Sequence, residues 1–162
     1  MSHLLLVFTA ARRGEAIVAT AEEAFAAQAA DCEVTLLFVL DAGRGEHLQD
    51  CLSGRGFVGS GPTREVERAS SEHAHAAAET RLAEVRGTLE AKGFSCKTEV
   101  VTGPLFESVS RAAEACKPDR VYMTRSKLGP LARLFGERDR KRFSRHFGEA
   151  LILREETGSD VR

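Results

Sequence analysis

The sequence predicts an α/β fold: a five-stranded, parallel, doubly wound, Rossmann-like sheet with helices on both faces. Three observations carry this. Runs of β-branched and large apolar residues alternate with segments of helical periodicity in the order βαβαβαβαβ. The first two runs, 4–8 and 34–40, are each followed at once by turn-rich sequence. The length, 162 residues, suits one core and leaves little room for a second domain. Strands joined through helices require right-handed crossovers and hence a parallel sheet covered on both sides.

Residues 4–8 form the first strand and end in the turn Thr9-Ala-Ala-Arg-Arg-Gly14. Ile17, Ala21, Ala24 and Phe25 then recur at helical spacing. The second strand, 34–40, gives way to a glycine-rich loop insertion over 41–62. A long helix over 64–92 lines one face with Ala78, Leu82, Val85 and Leu89, and Gly93 is placed to end it. Segment 96–101 alternates imperfectly, as a strand with one wet face or an edge position does. Leu105, Val109, Ala112, Ala113 and Cys116 make the stripe of the next helix, which Lys117-Pro118-Asp119 stops. A short strand follows over 121–123. Segment 128–147 is mostly helical, with Phe143 and Phe147 on its buried side, and 150–153 is the last strand. Residues 1–155 thus make one domain, and 156–162 read as a disordered tail.

In such sheets ligands bind beyond the carboxyl ends of the strands, where the strand order reverses. Function is therefore sought after each strand. Twenty-three Lys and Arg against 24 Asp and Glu give a net charge of −1, which argues against nucleic acid or membrane as partners from total charge. That total hides an asymmetry. Between 125 and 145 there are eight basic and two acidic residues, a local +6 that leaves −7 for the rest of the chain. A solvated helix face is the ordinary reading, with phosphate binding next and nucleic acid third. The sequence has no Trp and one Tyr, too few aromatic rings for a stacking platform on single strands. The early apolar run is too short for a membrane span or a secretory leader, so a cytoplasmic location is expected.

Familiar chemistries can be tried at the strand ends. The turn after the first strand holds no carboxylate, so a magnesium-binding phosphoacceptor site is not expected there. The sequence contains no phosphate-binding G-x-x-x-x-G-K-[ST] loop, no G-x-S-x-G nucleophile elbow and no H-E-x-x-H. One G-x-G-x-x-G stands at Gly54, Gly56 and Gly59, but no strand leads into it, so it reads as loop. Cys32, Cys51, Cys96 and Cys116 lack metal or redox spacing and read as reduced thiols. His73 and His75 lie about 200° apart on a helix and cannot share an ion. His75 can pair with Glu79 one turn on. No metal and no catalytic residue is assigned.

The segments at the strand ends resemble the universal stress protein family. Leu4-Leu-Leu-Val-Phe-Thr-Ala10 is similar to that family's opening strand, and Val34-Thr-Leu-Leu-Phe-Val-Leu-Asp41 to its second. Val101-Thr-Gly103-Pro104, followed by Val109, Ala113 and Asp119-Arg-Val-Tyr-Met123, resembles its G-x-P helix and aspartate-led fourth strand. Leu131-Ala-Arg-Leu-Phe-Gly136 resembles the approach to its phosphate-binding glycine. The resemblance implies strand order 3-2-1-4-5, a role in stress response and no enzymatic activity beyond weak ATP hydrolysis.

Nucleotide-binding members carry an Asp after the first strand and G-x2-G-x9-G-[ST] after the fourth. Here Ala10 stands at the Asp position, Thr124 and Lys127 at the first two glycines, and Glu137 at the hydroxyl. Only Gly136 matches, and a carboxylate at Glu137 repels phosphate. The leading expectation is a binding or regulatory module with the ATP site lost, acting by dimerisation and protein contacts. The alternative is ATP or another anionic ligand held at the switch point by Arg12, Arg13, Arg125, Lys127 and Arg133, with Thr9, Val39, Thr124, Gly129 and Gly136 completing the site. The 41–62 loop would then be a lid. Nucleic-acid binding through 125–145 is a second alternative. The implied order puts Ala150, Leu151, Ile152 and Leu153 at a sheet edge, an apolar liability that pairing with a second copy would remove.

Overall fold

The computed structural model describes residues 1–9, 15–40, 60–125 and 141–155, the side chains of 16, 60–70, 124–125 and 153–155 excepted. The strands are β1 (Ser2–Thr9), β2 (Cys32–Leu40), β3 (Ser95–Thr102), β4 (Arg120–Arg125) and β5 (Leu151–Glu155). Between them run α1 (Glu15–Phe25), with a 3-10 turn over Ala26–Asp31, then α2 (Ser60–Ala91) and α3 (Leu105–Cys116). Residues 141–147, here α4, are helical and lead through a 3-10 turn, Gly148–Ala150, into β5. All neighbouring strands are parallel, in the order β3-β2-β1-β4-β5.

The alternation of each strand divides the core into two layers. Leu4, Leu6 and Phe8 of β1 join Val34, Leu36 and Phe38 of β2 and Tyr122 of β4 under α1 and α2, which bring Ile17, Ala21, Ala78, Leu82, Val85 and Leu89. On the other face Leu5, Val7, Leu37, Val39, Val121 and Met123 pack against Val109, Ala112 and Ala113 of α3 and Phe143 of α4. The stripe expected of α2 is therefore buried, and that of α3 is buried at Val109, Ala112 and Ala113 and half-buried at Leu105 and Cys116. Phe147 is half-buried beside Phe143 in a stacked pair, ring centroids 6.1 Å apart. In α1, Ala24 is exposed, because the helix buries Ile17 and Ala21 on one side and only part of Phe25.

Helix ends follow local chemistry. At the end of α2, the Phe94 N–H donates to the Leu89 carbonyl (3.2 Å) and the Gly93 N–H to the Glu90 carbonyl (3.0 Å). This paired closure needs a left-handed residue, and Gly93 supplies it at φ 94°. The start of α2 differs from expectation: Ser60, Gly61 and Pro62, assigned to the loop by sequence, are already helical. Pro62 is compatible with this because amides in a first turn have no intrahelical acceptor to lose. At β5 the strand begins at Leu151, paired with Val121. Ala150 closes the preceding 3-10 turn instead of joining the strand, since the chain needs those residues to turn back into the sheet.

Candidate functional site

The switch point lies between β1 and β4, whose following helices leave to opposite faces. Registers at this place differ. The β1–β2 ladder continues to Thr9 opposite Val39, and the β4–β5 ladder continues to Thr124 opposite Arg154 and Arg125 opposite Glu155. The β1–β4 ladder stops earlier, at Val7 opposite Met123. The last two residues of β1 and of β4 therefore remain in the sheet through their outer neighbours while parting from each other. This is the crevice in which doubly wound sheets hold ligands.

Of the residues expected here, Thr9 sits half-buried at the tip of β1. Val39 is next to it across the ladder, but its side chain is 1% exposed and belongs to the core, so only its backbone can face a ligand. Thr124 and Arg125 end β4 across the crevice, with their side chains outside the description. Arg12, Arg13, Lys127, Gly129, Arg133 and Gly136, like Ala10, Glu137 and the 41–62 loop as far as residue 59, lie outside the described residues.

The rim beyond β2 is built by the G-P step. The Gly103 N–H donates to the Leu40 carbonyl (2.9 Å), continuing the β2–β3 ladder one residue past Thr102. Gly103 has φ 152°, and a Cβ there would stand 3.4 Å from the Ser108 Oγ. Pro104 then starts α3 from an extended conformation, and its carbonyl accepts from the Ser108 N–H (3.0 Å). A second wall comes from α2. Its 32 residues span about 48 Å, against roughly 27–30 Å for the strands it crosses. Among the α2 residues whose side chains are described, 71–77 are not buried and the buried stripe runs from Ala78 to Leu89.

The opposite, amino edge carries an ionic network that sequence reasoning did not find. Glu33 of β2 takes Lys97 of β3 on one side and His3 of β1 on the other, with His3 Nδ1 3.6 Å from Glu33 Oε2. A hydrogen bond from Lys97, reinforced by its charge and that of His3, holds the Glu33 carboxyl below the usual range. Asp119 ties β4 to β1: its carboxylate accepts from the His3 N–H (2.8 Å), and its own N–H donates to the His3 carbonyl (2.7 Å). The only sequence signal for these pairs is charge in strands, with no indication of partner.

Burial raises the Cys32 and Cys116 thiols and pushes Cys96 up to about 11, so these cysteines are thiols at neutral pH and poor nucleophiles. His75 and Glu79 do pair on α2, at 3.4 Å. Among the described residues no three His, Cys, Asp or Glu side chains converge as metal ligands, and no helix is long and apolar enough to cross a membrane.

No family model matches the sequence, and no curated protein matches it. Solved structures do. The hypothetical protein MJ0577 is similar over 98% of both chains, with a TM-score of 0.64 and 18% identity. A universal stress protein family protein from Arabidopsis thaliana with AMP bound matches 98% of this chain and 94% of its own, at TM-score 0.62 and 11% identity. A universal stress protein in complex with cAMP matches 96% and 98%, at TM-score 0.56 and 11% identity. With the same five parallel strands in the order 3-2-1-4-5 and helices on both faces, the fold of this chain is that of the universal stress proteins.

Proposed function

We propose that this chain is a binding and regulatory module of the universal stress protein kind, working through dimerisation and protein contacts, with the usual ATP mode lost. The observation that carries this reading is the pairing of that fold with a changed phosphate motif. Ala10, Thr124, Lys127 and Glu137 replace the Asp, two glycines and hydroxyl through which nucleotide-binding members hold ATP. Each lost phosphate contact costs about 1–3 kcal/mol, so several together remove most of the affinity. The residues assigned to the site include no general base, and no enzymatic role is proposed beyond weak ATP hydrolysis. Dimerisation is assigned to β5. Leu151 packs into the α3 layer and Ile152 into the α1 layer, both half-buried, on a strand whose outer side is a sheet edge.

The test is calorimetric titration with ATP. No heat at millimolar ATP is expected, and micromolar binding overturns the loss of the site. Sedimentation at micromolar concentration is expected to give a species larger than a monomer that Ile152→Arg reduces in mass. An Ile152→Arg protein of wild-type mass argues against β5.

A second reading is favoured by the parting of β1 and β4 beyond Val7 and Met123, which leaves a place for a small ligand. AMP and cAMP are bound in two of the similar structures. In this reading Arg12, Arg13, Arg125, Lys127 and Arg133 hold an anionic group with charged forks in place of backbone amides. Binding of an adenine nucleotide that weakens tenfold or more in Arg12→Ala/Arg13→Ala supports it over the first.

A further inference from the structure

We infer that the free edge of β3 is a self-complementary surface that pairs, antiparallel and about a two-fold axis at Thr98, with β3 of a second copy of this chain. The edge is open from both faces. On the α2 side Thr98 is exposed, so the helix does not roof the strand at its centre, and on the α3 side Lys97 and Glu99 are exposed. The strand runs eight residues, Ser95–Thr102, and among the described residues pairs on one side only, with β2.

The direction of its free hydrogen-bonding groups follows from one bond. The Gly103 N–H donates to the carbonyl of Leu40, the register partner of Thr102. In a strand the N–H and C=O of one residue point to the same side, and successive residues alternate. The amides of Lys97, Glu99 and Val101 therefore face β2, and those of Cys96, Thr98, Val100 and Thr102 face outward. An antiparallel neighbour must bring outward residues opposite outward residues, which leaves central two-fold registers about Lys97, Thr98 or Glu99. The first sets Lys97 against Lys97 and the last Glu99 against Glu99. Only the register about Thr98 puts Lys97 opposite Glu99 of the partner, twice. It makes these the non-hydrogen-bonded pairs, whose side chains lie closest. Thr98 then exchanges backbone bonds with its own copy and Cys96 with Val100 on either side, about six bonds in all.

This pairing uses the edge opposite β5 and is independent of pairing there. If both edges engage, the assembly exceeds a dimer, and loss of the β3 contact leaves the β5 dimer. If β5 does not pair, the same loss leaves a monomer. Sedimentation of the full chain distinguishes these outcomes. Glu99→Lys sets two Lys–Lys pairs across the axis, and Lys97→Glu sets two Glu–Glu pairs. Each variant alone is expected to fall to the β5 dimer, or to the monomer where β5 does not pair, and an equimolar mixture to regain the wild-type mass at the same total concentration.

Lys97→Glu also loses its partner Glu33, so a second variant avoids that pair. Thr98→Pro deletes an N–H that β2 does not use and blocks the edge. It is expected to give the same reduced species as Glu99→Lys, with the circular dichroism spectrum unchanged. Wild-type mass in Thr98→Pro and in Glu99→Lys, or no recovery on mixing the two charge variants, overturns the proposal.

Discussion

Gly103 and Gly87 show how one residue type answers to its backbone. At Gly103 φ is 152°, and an added methyl would press on Ser108. Gly103→Ala is expected to lower unfolding free energy by about 1–2 kcal/mol in urea denaturation. Gly87 is exposed within α2, with open space where a Cβ would stand, and Gly87→Ala is expected to raise it by about 0.5–1 kcal/mol. A loss at both positions would refute this account.

Glu33 sets a pH dependence. Its folded carboxyl lies below the ordinary value, so its contribution is complete above the unfolded range and disappears as pH falls through the folded pKa. Stability of the native protein is expected to drop on acidification below about pH 4.5, and Glu33→Gln to flatten that limb. An unchanged acid limb counts against the Lys97–Glu33–His3 network. This network was invisible in sequence because its members stand 30 to 64 positions apart, whereas His75 and Glu79, one turn apart, were legible.

Among the elements, α2 is the most firmly written. Leu82 is 1% exposed in the layer against the sheet, so Leu82→Ala is expected to cost about 2–5 kcal/mol. Thermal unfolding within a degree of wild type would show that the stripe carries little of the core. The stripes of α2 and α3 were legible because periodicity of 3.6 residues over many turns averages out local accidents. Strand limits were less so. β4 runs from Arg120 to Arg125 where 121–123 was expected, since ladder bonds to β1 and β5 carry polar residues that no apolar pattern marks. Ser60 to Pro62 and Ala150 were assigned across an element boundary, the place where capping and turn closure compete within a residue or two.

For the whole molecule, the near-neutral total and the basic 125–145 segment make opposite statements about polyanions. Binding to duplex DNA at physiological salt is expected to be absent. Salt-sensitive association that disappears on neutralising Arg138, Arg140, Lys141 and Arg142 would reverse that order.

The sequence alone determined the alternation of strands and helices, the buried stripes, and the place of Thr9, Thr124 and Arg125 at the carboxyl ends of β1 and β4. Each of these depends on residues near one another in the chain. Tertiary structure bears out the strand order 3-2-1-4-5 that the resemblance implied, and decided three things about register that it did not imply. The β1–β4 ladder ends two residues before its neighbours and opens a crevice. Val39 turns its side chain into the core and leaves only backbone for a ligand. At the β3 edge it is the amides of Cys96, Thr98, Val100 and Thr102 that face outward. Sheet register is a relation between distant segments, set by how all the layers pack at once, and no local pattern encodes it.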